Sequence, residues 1–365
     1  MEHPSALLQP RWTDIIRNHS ADAEKFGALR PEQLGLIYQQ NWFNLFVPAS
    51  LNGLQLPLPE AVRLEEAFAW ADGAFGWTLT LCSGAAWFAG FLDPALAKVV
   101  FDEKTACLGG SGAPSGTAER TPEGYVVNGS WKYATGAPHL TWFTANCLLT
   151  EHGNVLKDAG GKSLMRPFIF KREEVTVSAD WQTSGLVATA SHSFEVNALA
   201  VPAERQFEIS PATVKTPGPS YTYPFLQLAE ATLAANISGM AVHFMDLCEA
   251  SFNERMKSKS FTAEQKQYLS DLLSRCRSGT SKRRAEFYRV IDQSWSYTDQ
   301  GLDVPSPLLT GVSAASRVLA RKVRRFAEKL YPFCGLAAAD PSSEINRVWR
   351  DLHTASQHTL LIFPE

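Results

Sequence analysis

Residues 108–136 read LGGSGAPSGTAERTPEGYVVNGSWKYATG, and the rest of the chain is best read outward from them. A glycine- and serine-rich loop, Leu108–Ser115, leads into a polar strand. Thr121-Pro122-Glu123-Gly124 then turns the chain, with proline at the turn position that its fixed φ favours. Val126 and Val127 follow, and Asn128-Gly129 predicts a second turn, because both residues tolerate positive φ. The next strand ends in Tyr133-Ala134-Thr135-Gly136. Such a rim sets glycine backbone N–H groups beside an aromatic ring and a hydroxyl. A flat, electron-accepting heterocycle needs that combination: a stacking face and hydrogen bonds at its edge.

On either side of this stretch the periodicity changes. Up to about Lys104 it is helical. Arg30-Pro31 opens one helix and Pro59 another, proline being tolerated at the start of a helix. A third, around Trp77–Leu92, is apolar nearly all round and should be buried. From Ala106 to Phe207 the period is two, with β-rich runs at Tyr125–Val127, Trp142–Leu149, Met165–Phe170, Val175–Val177 and Ser193–Val196. Glu151–Lys162 reads as an exposed hairpin tip. Pro211, Pro217, Pro219 and Pro224 mark a connector, and helices return at Phe225–Lys257, after Thr262 (a capping box with Gln265), after Pro307 and near Ser342. The expectation is an α+β fold, mainly α, in three parts: an N-terminal helical domain (1–105), a central β-sandwich or barrel (106–210) and a C-terminal four-helix bundle (211–365).

Composition narrows the function classes. With 365 residues, 45% hydrophobic, 19% charged and a net charge of −3, a substantial core is available and there is no electrostatic case for nucleic acid. The six cysteines are far apart with no C-x-x-C pair, as reduced thiols of a cytoplasmic protein would be. The stretch Trp77–Leu92 is too short and mixed to span a membrane. No H-E-x-x-H or related histidine grouping predicts a metal, and no G-x-S-x-G, G-x-G-x-x-G or P-loop is present. The basic run Arg317–Lys329 alternates with Leu319, Val323, Phe326 and Leu330 at helical spacing, which describes a bundle helix with a solvated face.

The order of zones and five fragments together resemble the acyl-CoA dehydrogenase superfamily: Ala71-Asp72-Gly73, Leu108–Ser115, Val127–Thr135, Gly185 with Val201-Pro202, and Arg350-Asp351. The local wording is similar to the two-component flavin monooxygenases of that superfamily, at Ala113–Ala118, Tyr133–Gly136, His139 with Trp142, Ser191-His192, and Trp349-Arg350-Asp351 followed by His358. The resemblance implies a homodimer or homotetramer that receives reduced flavin from a separate reductase and uses it, with dioxygen, on a small aromatic or amine-bearing molecule.

It also implies site residues. The hydroxyl of Thr135 would meet flavin N5, with Tyr133 and Ala134 along the ring. Ser115 would reach the pyrophosphate, and Leu108, Gly109 and Gly110 would supply backbone contacts. The catalytic candidates are His358, whose imidazole suits acid–base work near neutrality, His139 facing the substrate, and Glu230. The last belongs to an alternative reading. Acyl-thioester dehydrogenation needs a carboxylate across from the flavin, and the usual place, nine residues after Arg350, holds Thr359; Glu230 would be the relocated base, one residue out of register. A further alternative is a flavin- or partner-binding protein without catalysis. His353 reads as structural. Arg255–Phe261 and Cys334-Gly335-Leu336 only loosely match the segments that hold the adenosine half of FAD, so FMN or transiently bound reduced flavin stands beside FAD.

Overall fold

A computed structural model describes residues 1–257 and 261–363. Its helices begin where proline or a capping side chain favours them. Proline occupies the first turn of α1 (Pro10–Phe26), α2 (Pro31–Gln40), α3 (Leu58–Ala71) and α5 (Pro94–Phe101). Asp72 caps α4 (Gly73–Ala86) by accepting from Phe75 N–H, and a 3-10 turn, Trp87–Gly90, continues it. The all-round apolar character expected of this stretch is matched by its burial.

In the C-terminal half come α6 (Phe225–Met256), α7 (Ala263–Asp299), α8 (Ser306–Leu330), α9 (Glu344–Ala355) and a last turn, α10 (Thr359–Ile362). The capping box of Thr262 and Gln265 opens α7 as expected. In α8, Leu319, Val323 and Leu330 are fully buried while Arg321 and Arg325 face solvent, so the basic run is a solvated helix face except at its start, where Arg317 is half-buried. Helix α6 is the axis of the molecule, packed by α3, α4, α7, α8 and α9. No helix among the described residues is long and apolar enough to cross a membrane.

Between the helical zones lies one seven-stranded sheet. It comprises β1 (Leu108–Thr121), β2 (Gly124–Ala134), β3 (Trp142–Glu151), β4 (Asn154–Val155), β5 (Met165–Lys171), β6 (Thr176–Ser178) and β7 (His192–Pro202). The strand order is β4-β3-β1-β2-β7-β6, with β5 also on β3. Phe143 on β3 and Phe194 on β7 have ring centroids 4.9 Å apart although two strands lie between theirs in the sheet. In a flat sheet three strand spacings are roughly 14 Å. The sheet therefore curls over its own core of Trp131, Phe143, Phe168, Phe170 and Phe194, all fully buried. Each such side chain removed from water contributes about 1.5–3 kcal/mol.

Two local expectations are corrected here. Leu108–Ser115 is not a loop but the first half of β1, parallel to β3, with a register irregularity between Ser111 and Gly116. Asn128-Gly129 does not turn the chain, because β2 runs straight through it. Gly116 and Gly129 are direct cross-strand partners, and a Cβ on either would lie 2.1 or 2.5 Å from the Trp131 ring. These glycines make a slot for an indole. The β2–β7 ladder is irregular between Val127 and Gly129, and the extra residue lies on β7, where Ala198 adopts φ 45° and donates its N–H to Asn128 Oδ1 at 2.7 Å. The turn at Pro122-Glu123 forms as read, closing on the Thr121–Gly124 pair.

Candidate active site

Where the curled sheet meets α4, α6 and the end of the chain there is a cavity of about 280 Å³. Gly109, Gly110, Thr135 and Thr144 form its sheet side. Leu81 and Ala85 of α4, Phe225, Leu228 and Leu233 of α6, and Phe88 form an apolar wall, and His358 closes one end. Thr135 and His358, 223 positions apart in the sequence, thus face one space. Among the described residues none that lines it is Asp, Glu, Lys or Arg.

His358 is set by the break between α9 and α10. It is the N-cap of α10, where its Nδ1 accepts from Leu360 N–H at 3.4 Å. The neutral ring then carries its proton on Nε2, which has no protein partner among the described residues. Burial holds its pKa below the usual imidazole range. Trp77 lies against the ring, with centroids 6.1 Å apart. The segment is fastened by Arg317, which donates to Leu360 O at 3.2 Å and to Glu230 Oε1 at 2.6 Å.

Glu230 is therefore not placed as a base. It is fully buried and ion-paired to Arg317, and its neighbours Ala229 and Thr232 line the cavity while it does not. One residue along α6 from Ala229 is a rotation of about 100°, which takes Glu230 out of the lining. Its carboxylate holds the His358 segment instead.

The other expected residues divide. Gly109 and Gly110 line the cavity, but they are glycine because of packing: a Cβ on Gly110 would sit 1.8 Å from Thr144 O, and one on Gly109 2.7 Å from Leu140. Leu108 is fully buried in the core, and Ala134 is buried in the ladder with β7. Neither lines the cavity. Tyr133 is 67% exposed at φ 68°, outside the lining, with Trp181 edge-on to its ring at 6.0 Å. Ser115 is exposed and donates to Ser130 O at 2.7 Å. His139 does not line the cavity either. It sits in the 3-10 turn Ala137–His139, and Nε2 is buried with no partner among the described residues. Burial pushes its pKa down to about 4. His353 stacks on Trp349 at 4.0 Å and bonds its backbone carbonyl, the structural part expected of it.

Residues that the sequence did not bring forward stand behind Thr135. Its Oγ1 is 2.9 Å from Ser191 Oγ, which is 2.7 Å from Thr189 Oγ1, which donates to Leu186 O at 2.8 Å. Ser191 had only a weak signal beside His192, and Thr189 none, since a lone threonine in a loop looks like any other. Leu186 N–H in turn donates to Asp351 Oδ1 at 2.5 Å. Gly185 packs on Arg350 O, and a Cβ on Gly73 would meet Asp351 at 2.9 Å. Three of the five fragments that carried the resemblance meet at this carboxyl group.

Residues 231–363 match the family described as acyl-CoA dehydrogenase, C-terminal domain. The structure of XiaF from Streptomyces in complex with FADH2 and glycerol superposes with a TM-score of 0.84 at 20% identity, covering 96% of this chain and 89% of that one. Over residues 231–363 the chain is thus similar to that family, and its fold as a whole is that of this solved structure. Similar proteins include the flavin-dependent monooxygenase oxygenase subunit HsaA of Rhodococcus jostii, 23% identical over 98% of this chain and 93% of that protein. Another is the indole-3-acetate monooxygenase of Pseudomonas putida, 21% identical over 87% of this chain and 80% of that one. Arg255 and Cys334-Gly335-Leu336 belong to the two segments expected to match the adenosine-holding ones only loosely. Arg255 is turned inward, donating to Phe333 O against Gly335, and Leu336 is 92% exposed. Residues 258–260 of the Arg255–Phe261 segment lie outside the described residues.

Proposed function

We propose that this chain is the oxygenase component of a two-component flavin-dependent monooxygenase, hydroxylating a small, uncharged aromatic molecule with dioxygen and reduced flavin from a separate reductase. One observation carries the reading: the cavity joins Thr135 to His358 through an apolar space without a carboxylate. Thioester dehydrogenation needs a base there, and Glu230 is engaged elsewhere. The lining also favours an uncharged aromatic over an amine, since an ammonium or carboxylate would meet no opposite charge.

The residues present fit a flavin ring: a glycine-floored sheet surface, a hydroxyl with free lone pairs, and flanking apolar side chains. When bound, reduced flavin supplies the electrons that activate dioxygen. The chain's own part is to exclude water, to hold the aromatic ring against Phe88 and Phe225, and to present the Nε2 proton of His358 to a substrate oxygen. The inward-turned Arg255 favours transient holding of FAD, with FMN as the alternative, over a tight adenosine clamp. The exposed apolar Leu336, Ile362 and Phe363 are consistent with assembly into a homodimer or homotetramer, and a cytoplasmic setting suits the six free cysteines.

The test is to mix the protein with photoreduced FAD, isotopically labelled dioxygen and simple phenols or indoles. Label in a hydroxylated product supports the proposal. Anaerobic bleaching of protein-bound oxidised flavin by an acyl-CoA overturns it.

A further inference from the structure

The hydroxyl chain behind Thr135 has a direction, and the direction follows from its far end. Leu186 O carries no hydrogen, so the 2.8 Å contact with Thr189 Oγ1 needs the threonine's single proton. Were that proton turned elsewhere, two lone-pair-bearing oxygens would face each other at 2.8 Å. With it committed, the 2.7 Å contact between Ser191 and Thr189 must be donated by Ser191. Ser191 then has no proton left for Thr135, so the 2.9 Å contact between them is donated by Thr135. All three hydroxyls are buried, and the segments are stitched together by Gly136 N–H donating to Thr189 O at 2.8 Å. Water therefore has little access to reverse the order.

At the cavity end, Thr135 Oγ1 is left with lone pairs and no proton. We infer that Ser191 and Thr189 are positioning residues that lock the Thr135 hydroxyl as an acceptor toward the cavity, so that the site selects a ligand presenting an N–H there. This rests on the flavin reading above. Nitrogen N5 of a flavin bears a hydrogen only in the reduced form, whereas in the oxidised form it is an acceptor and would meet the lone pairs of Thr135. The relay thus makes a redox-state filter out of three neutral side chains. An oxygenase that shares flavin with a reductase needs to take up the reduced form and let the oxidised form go.

The experiment is an anaerobic titration of the full-length protein with reduced and with oxidised FAD, read by flavin fluorescence and by the midpoint potential of the bound pair. The wild type is expected to bind the reduced form at least about tenfold more tightly, the scale of one buried hydrogen bond gained or lost. In Ser191→Ala, Thr135 is free to turn its proton into the cavity. The ratio should fall about tenfold, lowering the potential by about 30 mV. Thr189→Val, nearly isosteric, should shift it the same way by freeing Ser191 to donate to Thr135, and it decides the matter if Ser191→Ala does not fold. Ser191→Thr, which keeps the hydroxyl, should restore the wild-type ratio. If both flavin forms bind and the ratio is the same in wild type, Ser191→Ala and Thr189→Val, the relay inference is wrong and the flavin reading stands. If neither form binds the wild type, the flavin reading itself fails and takes this inference with it.

Discussion

Two buried polar regions of this molecule differ in how completely their hydrogen bonds are filled. At the junction of α3, α6 and α7, Glu66 accepts from Ser238 Oγ at 2.6 Å, from Arg284 Nε and a terminal guanidinium nitrogen at 2.7 Å each, and from Tyr288 Oη at 2.7 Å. Both carboxylate oxygens are engaged, and each partner comes from a helix that the contact ties to α3. The cavity instead offers the Thr135 hydroxyl and the His358 ring, each held on one side by the protein and open on the other. An interior carboxylate with four donors has nothing left for a ligand and does scaffold work. A hydroxyl and an imidazole with spare capacity, against an apolar wall, wait for one. Saturation, rather than burial or charge, separates the two roles.

Removing Glu66 gives the sharpest test of that contrast. Glu66→Ala leaves the Arg284 guanidinium buried without its partner and should cost about 3–5 kcal/mol in urea unfolding. Flavin affinity of the protein that remains folded should stay within about twofold, since the network does not reach the cavity. A loss under about 1 kcal/mol, or a matching loss of flavin affinity, would break the division between scaffold and site.

The next effect in size lies on the open side. His358→Ala should reduce hydroxylation about 10²-fold, measured as product formed per reduced flavin supplied, with stability lowered by only about 1 kcal/mol for the lost cap. The pH dependence has a definite sign. Burial favours the neutral ring, and protonation would place a second N–H at Nδ1 against Leu360 N–H, disrupting the cap. Turnover should therefore hold through neutral pH and fall as pH drops through a value below the ordinary 6.5 of histidine. A wild-type acid limb at or above 6.5, or the same limb in His358→Ala, would remove this residue from the proton chemistry.

Much of the scaffold was legible in the sequence because its signals are local. Proline in the first turns of α2 and α3, the Thr262–Gln265 capping box and the hairpin at Pro122-Glu123 act through their own backbone, whatever surrounds them. What misled was glycine. Leu108–Ser115 and Asn128-Gly129 read as a loop and a turn, yet their glycines serve close packing inside strands, against Thr144 O and the Trp131 ring. The need for them lies in residues from elsewhere in the sequence or on the facing strand. The site follows the same rule. Thr135 and His358 could be singled out by their sequence surroundings, and both face the cavity. The orientation of Glu230 was decided by Arg317 on another helix, and the relay through Ser191 and Thr189 by the path of a loop.

Asp351 gives the smallest expected effect and the finest probe, because it lies between the two kinds of region. Burial, and then the nearby charge of Asp72, pushes its carboxyl up to about 7. It accepts from Leu186 N–H, and so anchors the peptide whose carbonyl ends the hydroxyl relay. In the unfolded chain this group ionises near its ordinary value of about 4, whereas in the folded protein it keeps its proton until about pH 7. Between those values the native state binds the extra proton, so this group makes stability fall as pH rises from about 4 to 7 and contributes no slope above. Asn in its place cannot titrate, but its Oδ1 can still accept from Leu186. Asp351→Asn should thus unfold within about 1 kcal/mol of the wild type at acid pH, where both are neutral. The variant should then gain on the wild type steadily as the pH is raised to 7. Parallel stability curves across that range would mean that Asp351 is ionised in the native state and that the contact with Leu186 is held by charge.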